Sequence, residues 1–327
     1  MTISETVRAA STWIATDGAA GIENQCRGLA ERLGVAPVVK RIAIRQPWLS
    51  LPPALWFAPM HALSSQSDRL EPPWPDLLIA SGRKSVALCA AIRRLSRGRT
   101  LTVQIQKPGI ASSNFDLVVA PRHDGLTGEN VLSTTGSLHG LTRVGLDAEA
   151  EAWRTGIAGL PRPLTFAAIG GPNRVYRFEE AEARALGQKL ADLPGSLLVT
   201  MSRRSTQAAT AVLARELDPE RSRVWDGTGD NPYRGWLGLA DAVVVTSDSV
   251  NMATEASCTG RPVYVAHLKG GSAKFKAFHT LMESDGHSRA FDGTLDTAWK
   301  PEVLDDTGRV AAKVAQCLER RLSSPGS

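Results

Sequence analysis

The 327-residue chain is 43% hydrophobic and 22% charged, enough apolar content for two folded domains and outside the disordered and fibrous classes. Its net charge of +5 is scattered, with doublets such as Arg93–Arg94 and Arg203–Arg204 and no basic run, which favours small anionic ligands over nucleic acid. Four distant cysteines (Cys26, Cys89, Cys258, Cys317) without a C-x-x-C pair argue against a zinc site or a disulfide framework.

No apolar run reaches the roughly 20 residues needed to span a bilayer. The first residues carry Glu5 and Arg8 and no apolar h-region, so the expectation is a cytoplasmic protein without a signal peptide.

Taken in chain order, strands are expected at residues 12–16, 38–44, 76–80, 101–106 and 116–120. A second set is expected at 164–169, 196–200, 222–225, 242–246 and 262–266. Several are nearly continuous in apolar residues, as strands of a parallel sheet covered on both faces must be. Helices are expected at 24–33, 85–95, 179–190 and 208–217, with another starting near Ser249. Strand and helix alternate twice, so the predicted fold class is α/β: two doubly wound Rossmann-like domains with a cleft between them. The proline pair in Gly159-Leu-Pro-Arg-Pro163 sets the predicted boundary, giving domains 1–160 and 161–327. A terminal helix is expected over 306–322, counted with the second domain or, as the alternative, crossing back to the first, with residues 323–327 as a frayed tail.

In an open parallel sheet ligands bind beyond the carboxyl ends of the strands, and polar constellations stand at those points. After the first strand come Asp17, Gly18, Gly21, Asn24 and Gln25. The glycines permit close backbone approach, Asn24 and Gln25 suit a hydroxyl or phosphate, and Asp17 suits a base or a plain turn cap. Ser81 is a candidate N-cap, Arg83 behind it suits an anion, and Lys84 reads better as a solvated cation than as an anion ligand. His123 beside Asp124 offers acid–base groups.

In the second half, Gly170 and Gly171 are expected to turn their amides to a phosphate. Ser202, Arg203 and Arg204 are expected to clamp a diphosphate. Asp226 opens a polar glycine-rich loop suited to a base or sugar. Thr246, Ser247 and Ser249 bring hydroxyls to the mouth of the sheet, with Glu255 two turns up the following helix, placed for ribose hydroxyls.

The block Ala240-Asp-Ala-Val-Val-Val-Thr-Ser-Asp-Ser-Val-Asn-Met-Ala-Thr-Glu255 resembles the donor-binding half of GT-B glycosyltransferases and UDP-N-acetylglucosamine 2-epimerases. Together with Trp13-Ile-Ala-Thr-Asp-Gly18, Glu23-Asn-Gln25, Val103-Gln-Ile-Gln-Lys-Pro108, Gly170-Gly-Pro-Asn173, Thr200-Met-Ser-Arg-Arg204 and Trp225-Asp-Gly-Thr-Gly-Asp-Asn-Pro-Tyr233, it resembles the mitochondrial fission ELM1-like family over roughly residues 12–310. Ile22 stands where that family's pattern carries a histidine, which excludes a catalytic histidine there.

The resemblance implies a GT-B-like fold and a nucleotide-sugar partner, with no cofactor beyond the donor. The first functional expectation is a metal-independent glycosyltransferase, since no Asp-x-Asp motif is present, with Asp17 as the base. The alternatives are an epimerase acting on the same donor and a non-catalytic, membrane-associated recruiting protein. The apolar, proline-broken stretch 47–60 is the candidate contact with the inner membrane surface or a lipid-linked acceptor. Its competitor is a loop packed on the first domain.

Overall fold

The computed structural model describes residues 3–323 and divides into two compact units. The first begins with α1 (Glu5–Arg8) and continues through β1 (Thr12–Thr16), α2 (Ala20–Leu33), β2 (Pro37–Arg41) and β3 (Leu77–Ser81). It then runs through α3 (Val86–Leu95), β4 (Leu101–Ile105), β5 (Leu117–Pro121) and β6 (Val131–Thr134). The six strands form one parallel sheet in the order β2-β1-β3-β4-β5-β6. Every residue of β3 and β4 is buried, which is why both read as apolar runs without alternation. Leu77 and Ile79 of β3 pack with Leu29 and Leu33 of α2 on one face, while Leu78 and Ala80 pack with Leu88 and Ile92 of α3 on the other.

The second unit spans α4 (Arg143–Glu151), β7 (Leu164–Ile169), β8 (Tyr176–Arg177), α5 (Glu180–Ala191), β9 (Ser196–Met201), α6 (Gln207–Glu216) and β10 (Ser222–Trp225). It continues with α7 (Tyr233–Leu239), β11 (Ala242–Thr246), α8 (Val250–Ser257), β12 (Val263–Ala266), β13 (Lys269–Gly270), α9 (Ala273–Ser284) and β14 (Arg289–Ala290). Its parallel sheet has the order β10-β9-β7-β11-β12-β14, and β8 and β13 form a separate antiparallel pair. All ten predicted strands are present; the additional ones (β6, β8, β13, β14) have four residues or fewer. That is too short for an apolar period to show.

Two sequence expectations on the domains are corrected. The first unit comprises residues 1–140 and 305–327, and the second residues 141–304, so the boundary lies about twenty residues before the prolines. Those prolines mark only the loop entering β7. The chain preceding them already belongs to the second core, where Leu146 and Ala150 of α4 pack with Trp236 and Leu237 of α7.

The terminal helix α10 (Asp306–Ser323) also belongs to the first unit. Its apolar stripe of Val310, Ala311, Val314, Ala315 and Leu318 is buried with Leu29 and Leu33. Asp306 accepts from the Thr135 and Gly136 amides at 2.6 and 3.1 Å, and Arg321 pairs with Asp116 at 2.9 Å. Ser323 is the last helical residue; the rest of the expected tail, 324–327, lies outside the described residues.

Candidate functional site in the second unit

In the second unit the strand order reverses between β7 and β11, and a doubly wound sheet presents its ligand crevice at such a point. Here the two flanking loops are tied together. Thr246 Oγ1 accepts from the Gly170 amide at 2.7 Å and donates to Asp248 Oδ1 at 2.6 Å, while Asp248 Oδ2 accepts from the Gly171 amide at 3.0 Å. The Asp248 side chain has no exposed surface and takes Arg204 Nη2 at 2.6 Å. Arg204 also donates to the Gly171 carbonyl at 3.2 Å. Glycine is required at both positions: a Cβ on Gly170 would fall 2.1 Å from Asp248 Oδ1, and one on Gly171 would fall 2.7 Å from the Ser205 amide.

This network overturns three expectations. The Gly170 and Gly171 amides are committed to Thr246 and Asp248 rather than presented to a phosphate. Thr246 is fully buried and serves as the relay. Arg204 neutralises Asp248, so it is not half of a diphosphate clamp. The neighbouring Arg203 makes no hydrogen bond or ion pair among the described residues and lines a cavity instead.

That cavity, of about 350 Å³, lies beyond β7, β9 and β10. Ile169, Met201, Trp225, Tyr233 and Met252 form its apolar walls, and Thr200, Ser202, Arg203 and Asn231 its polar edge. Aromatic walls with a few polar groups suit a planar heterocycle. Tyr233 donates to Glu255 Oε2 at 2.7 Å, which places Glu255 directly behind the wall with Oε1 remaining for a further donor. Burial pushes the Glu255 carboxyl above its ordinary value, against the lowering effect of the Tyr233 hydrogen bond. Burial and the adjacent carboxylate push the Tyr233 phenol up in turn.

Asp226 does not line this cavity. Its carboxylate accepts from the Thr228 amide at 2.9 Å and the Thr228 hydroxyl at 2.6 Å, closing a turn within its own exposed loop, and these bonds hold it below the ordinary carboxylate value.

Between the two loops, α8 begins with Ser249 as its N-cap, the Ser249 hydroxyl accepting from the Met252 amide at 3.3 Å. The first amides of a helix have no intrahelical partner and carry the positive end of its dipole.

On the far side, beyond β11 and β12, lies a second cavity of about 580 Å³. Its lining includes Tyr176, Ser247 and His279, each at least nine-tenths buried, together with exposed His267, Lys276 and Glu283. The pairing of β13 with β8 folds the Gly270-Gly271-Ser272 turn over this space, and Ser272 caps α9. His279 Nε2 lies 2.8 Å from the Ser247 carbonyl, and Ser247 Oγ accepts from the Leu268 amide at 3.0 Å. Burial holds the His279 imidazole below its ordinary pKa despite that hydrogen bond, so it is neutral near pH 7. Sequence reasoning found Ser247 but missed His267, Lys276, His279 and Glu283. The Gly-Gly-Ser turn directly after β12 was the available signal.

Residues named in the first unit are distributed along its sheet. Gly18 adopts φ +85°, the left-handed conformation glycine tolerates, while Gly21 lies within the first turn of α2. Asn24 is exposed, and Gln25 donates to the Gly21 carbonyl at 3.1 Å. Asp17 accepts from the Ala19 amide at 3.2 Å and pairs with Lys84 at 3.1 Å, so Lys84 is an ion-pair partner rather than a solvated cation. Burial raises the Asp17 carboxyl, but Lys84 and the Ala19 amide together hold it below its ordinary value.

His123 and Asp124 follow β5, three strands from β1, which is about 14 Å at ordinary strand spacing. The three residues expected to be catalytic are therefore not gathered at one point. The His123 side chain is 3% exposed, its Nε2 3.7 Å from Asp124. Ser81 ends β3 instead of capping α3, since the helix starts beyond Ser85, whose hydroxyl donates back to the Ser81 and Gly82 carbonyls. Among the described residues no cluster of His, Cys, Asp and Glu could hold a metal ion.

The two-unit α/β fold is shared with solved UDP-N-acetylglucosamine 2-epimerase structures. The chain superposes on UDP-N-acetylglucosamine 2-epimerase from Methanocaldococcus jannaschii with a TM-score of 0.50 and 10% identity, covering 95% of this chain and 99% of that one. It superposes on a candidate UDP-N-acetylglucosamine 2-epimerase from Listeria monocytogenes with a TM-score of 0.51 and 12% identity, covering 97% and 98%. At these identities the likeness establishes the fold. The chain belongs to the mitochondrial fission ELM1 family, whose sequence model matches residues 20–318. It is 33% identical to the mitochondrial fission protein ELM1 of Arabidopsis thaliana over 276 residues; the match covers 76% of this chain and 65% of the plant protein's length.

Proposed function

We propose that the second unit binds a nucleoside-diphosphate sugar and that the protein transfers the sugar without a metal ion. The supporting observation is the pair of cavities at the carboxyl edge of one sheet, with the amino end of α8 between them. In this reading the base occupies the aromatic-walled cavity and Glu255 accepts from the ribose. The diphosphate lies against the start of α8, with Ser249 and Arg203 beside it, and the sugar enters the cavity lined by Ser247, His279 and Lys276. Arg203 and the helix dipole stabilise the charge that develops on the departing diphosphate.

A base is needed to accept the proton of the incoming hydroxyl. Asp17, held ionised by Lys84, is a weak proton acceptor, whereas His279 is neutral and oriented through Nε2. The ring of titratable groups around the larger cavity gives epimerisation of the same donor as a second reading.

The test incubates the full chain with UDP, GDP, CDP and ADP sugars, measuring binding by calorimetry and analysing products. Transfer releases free nucleoside diphosphate. Epimerisation leaves the nucleotide attached to an altered sugar, and binding without either product indicates a recruiting protein that kept the ligand. Absence of binding to every nucleoside diphosphate would overturn the proposal.

A further inference from the structure

The connection between β2 and β3 is unlike the rest of the surface. Residues 42–67 contain no Asp or Glu. Within them Trp48 and Trp56 are buried, and their indole N–H groups donate to the Phe57 carbonyl at 2.7 Å and the Leu51 carbonyl at 3.1 Å. Leu49, Leu55 and Phe57 point outward, 38%, 60% and 59% exposed. Part of the loop's hydrogen bonding is internal. The amides of Leu49, Ser50, Leu51, Leu55, Trp56 and His61 all donate within the segment, and four prolines (Pro47, Pro52, Pro53, Pro59) carry no N–H at all.

From the body of the unit, Arg83 fixes the loop by donating to the Leu51 carbonyl at 2.7 Å and the Leu49 carbonyl at 3.4 Å. Arg45 donates to the His61 carbonyl at 2.8 Å and lies 5.2 Å from the Trp48 ring, which in turn is 4.9 Å from the Phe57 ring. Neither arginine meets a carboxylate among the described residues.

We infer that this loop is a surface anchor for an anionic bilayer. Leu49, Leu55 and Phe57 enter the boundary between headgroups and acyl chains, and Arg45 and Arg83 remain at the level of the lipid phosphates. Only the apolar side chains leave water in such a position; the backbone stays at the headgroup level, where water reaches the Phe57 and Ala58 amides that find no acceptor among the described residues. A protein partner is the weaker occupant: a stable protein interface covers about 800 Å² per partner, more than three side chains supply. Interfacial attachment requires only a few apolar groups beside cations, and anionic lipid supplies the complementary charge.

The full chain is mixed with sucrose-loaded vesicles of phosphatidylcholine alone or of equimolar phosphatidylcholine and phosphatidylglycerol, and sedimented. Binding to the anionic vesicles alone, weakening as salt is added, is the expected result. Leu55→Glu with Phe57→Glu should lower that partitioning at least tenfold, and Arg45→Gln should lower it less while flattening the salt dependence. If the double glutamate variant melts early, Leu55→Ser with Phe57→Ser takes its place. Wild-type protein that stays in the supernatant, or a variant that sediments like the wild type, overturns the inference. So does sedimentation velocity showing that Phe57→Glu splits a dimer, since the face would then belong to a second copy. None of these outcomes depends on nucleotide binding.

Discussion

Replacing Asp248 by Asn tests whether the switch point of the second unit is held together as described. The carboxylate receives a hydroxyl hydrogen on Oδ1 and two N–H groups on Oδ2, from Gly171 and Arg204. Asparagine offers one oxygen. In one amide orientation it keeps Thr246 and confronts Gly171 and Arg204 with its own N–H₂ group; in the other it keeps those two and confronts the Thr246 hydroxyl. Either way a buried donor loses its acceptor, at about 1–3 kcal/mol. Losing the charge on Asp248 also weakens the pair with Arg204. That side chain is 42% exposed and can turn to water, so this part is no more than about 1 kcal/mol.

The sum is about 1–4 kcal/mol, against the roughly 3–5 of a fully buried pair broken on one side. For a unit of this size each kcal/mol lowers the melting temperature by about 2–4 °C, so a fall of roughly 2–16 °C is expected. Urea unfolding followed by circular dichroism, with calorimetric melting alongside, measures it. A variant within about 0.5 kcal/mol of wild type would show that the network is not a stabilising element and would refute the reasoning.

Arg203→Ala should leave stability within about 0.5 kcal/mol and weaken nucleoside-diphosphate binding by about 1.5–3 kcal/mol; unchanged affinity in calorimetry removes Arg203 from the site. Lys84→Met should raise the Asp17 pKa toward the ordinary carboxylate value, and a carboxyl-carbon NMR titration showing no rise would contradict the pairing. His139 gives a pH dependence in the first unit: burial lowers its pKa to about 4, outweighing Asp305 and Asp306. Because the folded-state pKa lies below the unfolded one, its contribution is complete above about pH 6.5 and is lost as pH falls toward 4, amounting to about 3 kcal/mol. His139→Gln should flatten the stability profile over that interval; an identical slope in the variant would show that His139 is not responsible.

The sequence by itself determined the two sheets, because the signal for a doubly covered strand is local. Ala242–Thr246 reads as a buried strand from its own five residues, and Ser249 reads as the cap of the following helix from its place after that strand. The apolar stripe of α10 was equally plain. Its destination stayed open between the two units, since a stripe states only that something covers it, and here Leu29 and Leu33 do.

Tertiary structure alone decided which polar groups face inward. Arg203 and Arg204 carry the same sequence signal, yet one lines a cavity and the other is drawn onto Asp248, because only the path of the loop sets a side chain's direction. The glycines at 170 and 171 advertised close approach, but what approaches is the same chain, the Asp248 carboxylate at Gly170 and the Ser205 backbone at Gly171. The larger cavity joins Tyr176 to Ser247 and His279, and no local period links residues so far apart in sequence. Apolar periodicity is written along the chain, whereas the partner of a buried charge is fixed only when distant loops meet and one orphaned donor or acceptor must find another.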